Sequence, residues 1–145
     1  MQRSMRKLLC ITAHPDDEAG AFGGTLLLYQ ERGVETSVVC LTAGTAARNR
    51  GTAGSNQELA QLRRAEFAAS CKVLNVAYGE VLDYPDSKLD RTDLYQVAGD
   101  LVLRIRQIRI GQRLQDFART RSAHREHRMV CRHVVALHAP GRIDL

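Results

Sequence analysis

The chain has 145 residues, 44% of them hydrophobic and 26% charged, and its 21 Lys and Arg outnumber 16 Asp and Glu for a formal net charge of +5. This length carries one domain around one core, the composition is that of a folded protein, and no apolar run reaches the roughly 18 residues of a membrane span. The charge is uneven: residues 1–100 hold 11 basic against 13 acidic side chains, net −2, whereas residues 101–145 hold 10 arginines against Asp116, Glu126 and Asp144, net +7.

Met1 to Lys7 leads directly into a short apolar stretch, without the longer apolar run and small-residue cleavage site of a secretory signal, so a cytoplasmic location is expected. Cys10, Cys40, Cys71 and Cys131 are widely spaced and three lie in apolar runs, which predicts buried small hydrophobes rather than bridges or a metal cage.

In chain order, Lys7 to Ala13 is an almost wholly apolar run, the pattern of a strand covered on both faces. Asp17 to Arg32 has helical spacing, with Phe22, Leu26, Leu27 and Tyr29 near one face and Gly33 as its stop. Glu35 to Thr42 reads as a second strand, and Ala43 to Ser55 as a loop long enough to suggest a function. Gln57 to Leu74 reads as a helix, and Ala77 to Tyr84 as a third strand closed by Pro85-Asp86-Ser87. Thr92 to Ile108 is a helix whose buried stripe includes Leu94, Val97, Leu101, Ile105 and Ile108. Alternating strands and helices predict an α/β fold, a Rossmann-like parallel sheet with flanking helices.

After Ile108 the pattern changes. A fourth central strand is due, yet Ile110, Leu114, Phe117 and Ala118 are spaced for a helix among charges, so 109–122 is expected to be helical or disordered. Met129 to Leu137 again reads as a helix, ended by Pro140-Gly141.

Ligands of open α/β sheets bind beyond the carboxyl ends of the strands. The first strand delivers Ala13-His14-Pro15-Asp16-Asp17-Glu18 there. His14 and Asp17, three apart across a tight turn, can reach one metal ion, imidazole and carboxylate both suiting zinc. Asp16 points elsewhere and can accept a proton from an attacking water. The plainer reading is three acids capping a helix and complementing its dipole. A second cluster, His124-Arg125-Glu126-His127, again sets two histidines three apart. One can complete a three-ligand site and the other can sit over the open position; alternatively both belong to a solvated, arginine-rich turn.

Together these segments resemble the PIG-L / LmbE-like zinc-dependent de-N-acetylases. The resemblance rests on Ala13-His14-Pro15-Asp16-Asp17-Glu18 and continues through Gly23-Gly24-Thr25-Leu26, Leu41-Thr42-Ala43-Gly44, Leu62-Arg63-Arg64-Ala65-Glu66 and Tyr84-Pro85-Asp86. His124-Arg125-Glu126-His127 is similar to a variant of the family's His-Pro-Asp-His element. The resemblance implies that His14, Asp17 and His127 hold zinc, that Asp16 is the general base, that His124 steadies the oxyanion and that Arg63 contacts substrate. It implies one LmbE-like domain over 1–145, incomplete at its C-terminal side, and hydrolysis of the amide of a small-molecule N-acetylated sugar or glycoconjugate. A homo-oligomer is left open.

The chain departs from the family pattern in three places. The apolar fourth strand is missing, which would leave the first strand at a sheet edge. Arg125 and Glu126 stand where the family has Pro and Asp, and family members continue into further strands that wall the pocket. An arginine-rich break between family-like segments is also what two compensating reading-frame shifts leave. A nucleotide-binding Rossmann protein is the first rival, but His-Pro-Asp-Asp-Glu replaces its glycine-rich turn and would repel a pyrophosphate. The second rival is an inactive remnant or basic module using the arginine-rich third. With Phe117 as the one stacking aromatic in the 109–122 segment, nucleic acid is not the expected partner. His133 and His138 are assigned no role.

Overall fold

A computed structural model describes residues 6–110, together with the backbone of Leu114–Asp116 and Val135–Leu137. Three strands, β1 (Lys7–Thr12), β2 (Glu35–Thr42) and β3 (Tyr78–Tyr84), form a parallel sheet in the order β1-β2-β3. The register runs from Lys7 opposite Glu35 to Thr12 opposite Cys40, and from Ser37 opposite Tyr78 to Thr42 opposite Tyr84, with an irregularity between Cys40 and Thr42.

The helices are α1 (Asp17–Gly20), α2 (Gly23–Glu31), α3 (Asn56–Val73) and α4 (Leu94–Ile108), with a 3-10 turn at Leu89–Arg91. The single helix expected over Asp17–Arg32 is broken into α1 and α2 at Ala21 and Phe22. The ends of α3 and α4 follow their capping chemistry. Ser55 Oγ accepts the Glu58 N–H at 3.1 Å, and the Asp93 carboxylate accepts the Tyr95 N–H at 2.9 Å.

Alternation along the central strand divides the interior in two. Val39 and Leu41 join Leu9, Ile11, Leu82, Leu89, Val97 and Ile108 in one layer under α4. Val38 and Cys40 join Cys10, Leu26, Phe67, Cys71 and Leu74 in the other, under α2 and α3. A sheet buried on both faces explains why β1 and β2 read as nearly continuous apolar runs. Gly79 permits the approach of α3, since a Cβ there would meet Cys71 Sγ at 2.8 Å. Cys10, Cys40 and Cys71 are free and buried, as expected; Cys131 lies outside the described residues.

The C-terminal expectation needs correction. Leu114–Asp116, inside the segment read as helical or disordered, is a strand, β4, which pairs antiparallel with β5 (Val135–Leu137), inside the segment read as a second helix. β5 lies close to β1, so the edge of the first strand has a neighbour. Arg109 ends α4 in a left-handed conformation and Ile110 is buried in the core; the remainder of both segments lies outside the described residues. Among the described residues no helix is long and apolar enough to cross a membrane.

Candidate active site

The site is built at the carboxyl ends of β1 and β2, which Thr42 ties together. Its buried hydroxyl donates to the Ala13 carbonyl at 2.9 Å and accepts the Gly44 N–H at 3.2 Å. Beyond Ala13 the chain turns sharply through His14-Pro15-Asp16 into α1. Asp16 takes a left-handed φ of 109°, a conformation that costs a non-glycine residue of order 1–3 kcal/mol unless its surroundings hold it.

Three contacts hold it. The Asp16 N–H donates to Glu18 Oε2 at 2.9 Å, the His14 N–H donates to Asp17 Oδ2 at 3.0 Å, and Arg63 reaches across from α3. Arg63 Nη2 donates both to the Pro15 carbonyl and to Asp16 Oδ2, the latter at 3.0 Å. Arg63 Nε is buried without a hydrogen-bond partner among the described residues. Gly44, at φ +67°, makes room for this guanidinium, because a Cβ there would stand 2.9 Å from Nε.

A cleft of about 240 Å³ opens over this turn, lined by His14, Asp16, Gly44, Ala46, Arg63 and Asp86 among others. The Asp16 side chain is 74% exposed into it, whereas the His14 and Asp17 side chains are 14% and 15% exposed. His14 Nδ1 lies 3.8 Å from Asp17 Oδ2, and its Nε2 lies 3.2 Å from Asp86 Oδ1. Asp86 Oδ2 accepts the Ala46 N–H at 2.6 Å.

Of the six residues expected at the site, His14, Asp16, Asp17 and Arg63 are thus brought together, while His124 and His127 lie outside the described residues. Among the described residues no group of three His, Cys, Asp or Glu forms a complete metal cage. The adjacent, mostly buried imidazole and carboxylate of His14 and Asp17 are nevertheless a donor pair of the kind zinc takes. Two members of the site went unassigned at the level of sequence. Glu18, 1% exposed, reads like any acid in a helix's first turn, and Asp86 carried no signal beyond its place in Tyr84-Pro85-Asp86.

The family model described as PIG-L, GlcNAc-PI de-N-acetylase, matches residues 9–138. A probable N-acetyl-alpha-D-glucosaminyl L-malate deacetylase 2 of Bacillus cereus is 29% identical over 132 residues, covering 90% of this chain and 60% of that protein. The diacetylchitobiose deacetylase of Thermococcus kodakarensis is 35% identical over 107 residues, covering 74% of this chain and 39% of that protein. The solved N,N'-diacetylchitobiose deacetylase of Pyrococcus horikoshii superposes with a TM-score of 0.69 at 33% identity, over 84% of this chain and 45% of that one. The chain therefore spans about half the length of the relatives it matches.

Proposed function

The chain belongs to the GlcNAc-PI de-N-acetylase (PIG-L) family, and on that premise we propose that it is a zinc-dependent hydrolase that removes the N-acetyl group of an amino-sugar substrate. One observation carries the reading: His14, Asp16 and Arg63 line one cleft at the carboxyl ends of the strands, with the Asp17 carboxylate 3.8 Å from the His14 imidazole. His14 and Asp17 hold the metal, with His127 as the third ligand. When bound, zinc supplies Lewis acidity toward the acetyl carbonyl and toward the attacking water.

Asp16 takes the proton of that water. Its carboxylate is the exposed one, and Arg63 holds it in register with the cleft by bonding Oδ2. Arg63, which lines the cleft, contacts the sugar. His124 donates to the developing oxyanion, and return of a proton to the amine releases acetate.

The cleft's 240 Å³ falls short of the roughly 300–1,000 Å³ of a small-molecule site, so it suits the acetamido end of a sugar whose remainder lies outside it. The family, and the N-acetyl-alpha-D-glucosaminyl L-malate and diacetylchitobiose substrates named for the Bacillus and Thermococcus relatives, support an N-acetylated sugar or glycoconjugate as substrate. Three buried free thiols support a reducing, cytoplasmic setting.

The test combines metal analysis with acetate release from a panel of N-acetylated sugars. Zinc should co-purify or be taken up, Asp17→Ala should lose most of it, and Asp16→Ala should keep the metal while losing about 10²–10⁴-fold in turnover. Equal zinc in wild type and Asp17→Ala would refute the ligand assignment.

A further inference from the structure

Asp86 has no part in the reaction as written above, yet it is the most enclosed carboxylate in the cleft, its side chain 6% exposed. Both of its oxygens are committed. Oδ2 accepts the Ala46 N–H at 2.6 Å, and Oδ1 lies 3.2 Å from His14 Nε2, within hydrogen-bond distance. A carboxylate held this way is well placed to fix a neighbouring side chain.

A neutral imidazole carries one proton, and a carboxylate facing Nε2 draws that proton to Nε2. The other nitrogen, Nδ1, is the one turned toward Asp17, 3.8 Å from Oδ2. The nitrogen directed at the neighbouring donor is therefore the one whose lone pair this tautomer preserves. Carboxylates that accept the second N–H of a ligating histidine set its tautomer and ring orientation.

We propose that Asp86 is a positioning residue that holds His14 as its Nε2–H tautomer, with Nδ1 presented beside Asp17 for a divalent cation. The inference rests on the reading of His14 and Asp17 as metal ligands. Asp86 also joins three separate segments at one carboxylate: the turn after β3, the turn after β1 and the loop after β2. An error in any of them is thereby transmitted to the imidazole.

Two measurements on the full chain test it. In metal-free protein labelled with ¹⁵N at histidine and held at pH 8, the His14 ring should report the Nε2–H tautomer, and Asp86→Ala should shift it toward a mixture. Zinc affinity, measured by competition with a chromophoric chelator, should fall about 10- to 100-fold in Asp86→Ala. Asp86→Asn, which keeps the volume but can accept at one site instead of two, should fall between Asp86→Ala and wild type, with circular dichroism confirming the fold. If wild type binds zinc and both variants bind it within twofold, the positioning role is overturned while the ligand assignment stands. If wild type takes up no zinc, the ligand assignment fails, and the role of Asp86 is then decided by the tautomer. The same tautomer in wild type and Asp86→Ala overturns that role.

Discussion

At position 44 the backbone has a φ of +67°, and the space where a side chain would begin is taken by Arg63 Nε and, at 3.3 Å, by the Pro15 ring. Gly44→Ala should therefore cost about 1–3 kcal/mol, read as a lowered denaturation midpoint, because both strain and contact oppose it. It should also displace the guanidinium that holds Asp16, so turnover should fall further than stability alone accounts for. A variant as stable and as active as wild type would remove Gly44 from the site. The contrast between residues explains what was legible. His14, Asp16 and Asp17 stand in one hexapeptide after a recognisable strand, so their proximity follows from local chain geometry. Asp86 and Glu18 were illegible for different reasons. Asp86 reaches His14 across a sequence separation that no spacing encodes, and Glu18 differs from an ordinary capping acid in its burial, a tertiary property.

Among the elements, α4 is fastened to β3 by a polar clamp. Arg104 grips Glu80 with Nε at 3.0 Å and Nη2 at 2.9 Å, and its Nη1 lies 3.3 Å from Asp100 Oδ1. Tyr84 donates to Asp100 and Tyr78 donates to Glu80. Burial first, and then the hydrogen bond to Asp100, pushes the Tyr84 hydroxyl from its ordinary value near 10 up to about 12. A group whose pKa is raised by folding contributes stability below its unfolded pKa and loses it as pH rises through the folded value. Melting temperatures should accordingly decline between about pH 10 and 12, and Tyr84→Phe should flatten that decline; an unchanged slope would dissociate Tyr84 from it. The Arg104 hydrogen bonds hold Glu80 below the usual carboxylate range, so its contribution is present above that range and disappears as pH falls beneath it. The runs of β1 and β2 were readable because both faces are buried, and the stripe of α4 because Val97 and Ile108 recur on one buried face, although Leu94, expected in it, is 51% exposed at the first turn. The break between α1 and α2 was not, since the residues around Ala21 and Phe22 keep helical spacing while the turn at Asp16 dictates the path. Nor were β4 and β5, each three residues long, because Leu114 falls on a helical repeat and strand pairing depends on a distant partner.

For the molecule as a whole, the net charge of +7 over residues 101–145 sits beside a body with net −2. The described part of the basic third contributes α4, whose Arg104 is consumed by the clamp on β3 rather than offered to a polyanion. Metal occupancy should register in global stability if the site grips zinc in the folded state alone. At a free zinc concentration of 100 times its dissociation constant, the gain is about 2.7 kcal/mol. That corresponds to an upward Tm shift of roughly 5–11 °C for a chain of this size, at about 2–4 °C per kcal/mol. Asp17→Ala should abolish the shift, which differential scanning fluorimetry with and without chelator would reveal; a shift of equal size in both proteins would place the zinc elsewhere. Val38, Val39 and Cys40, all 0% exposed, send alternate side chains into both apolar layers from the middle strand of the sheet. Both apolar layers therefore close over the same middle strand. In deuterated water the amides of these three residues should be the last to exchange, at a rate set by complete unfolding, so the turn bearing His14 is anchored to the slowest-opening piece of the protein.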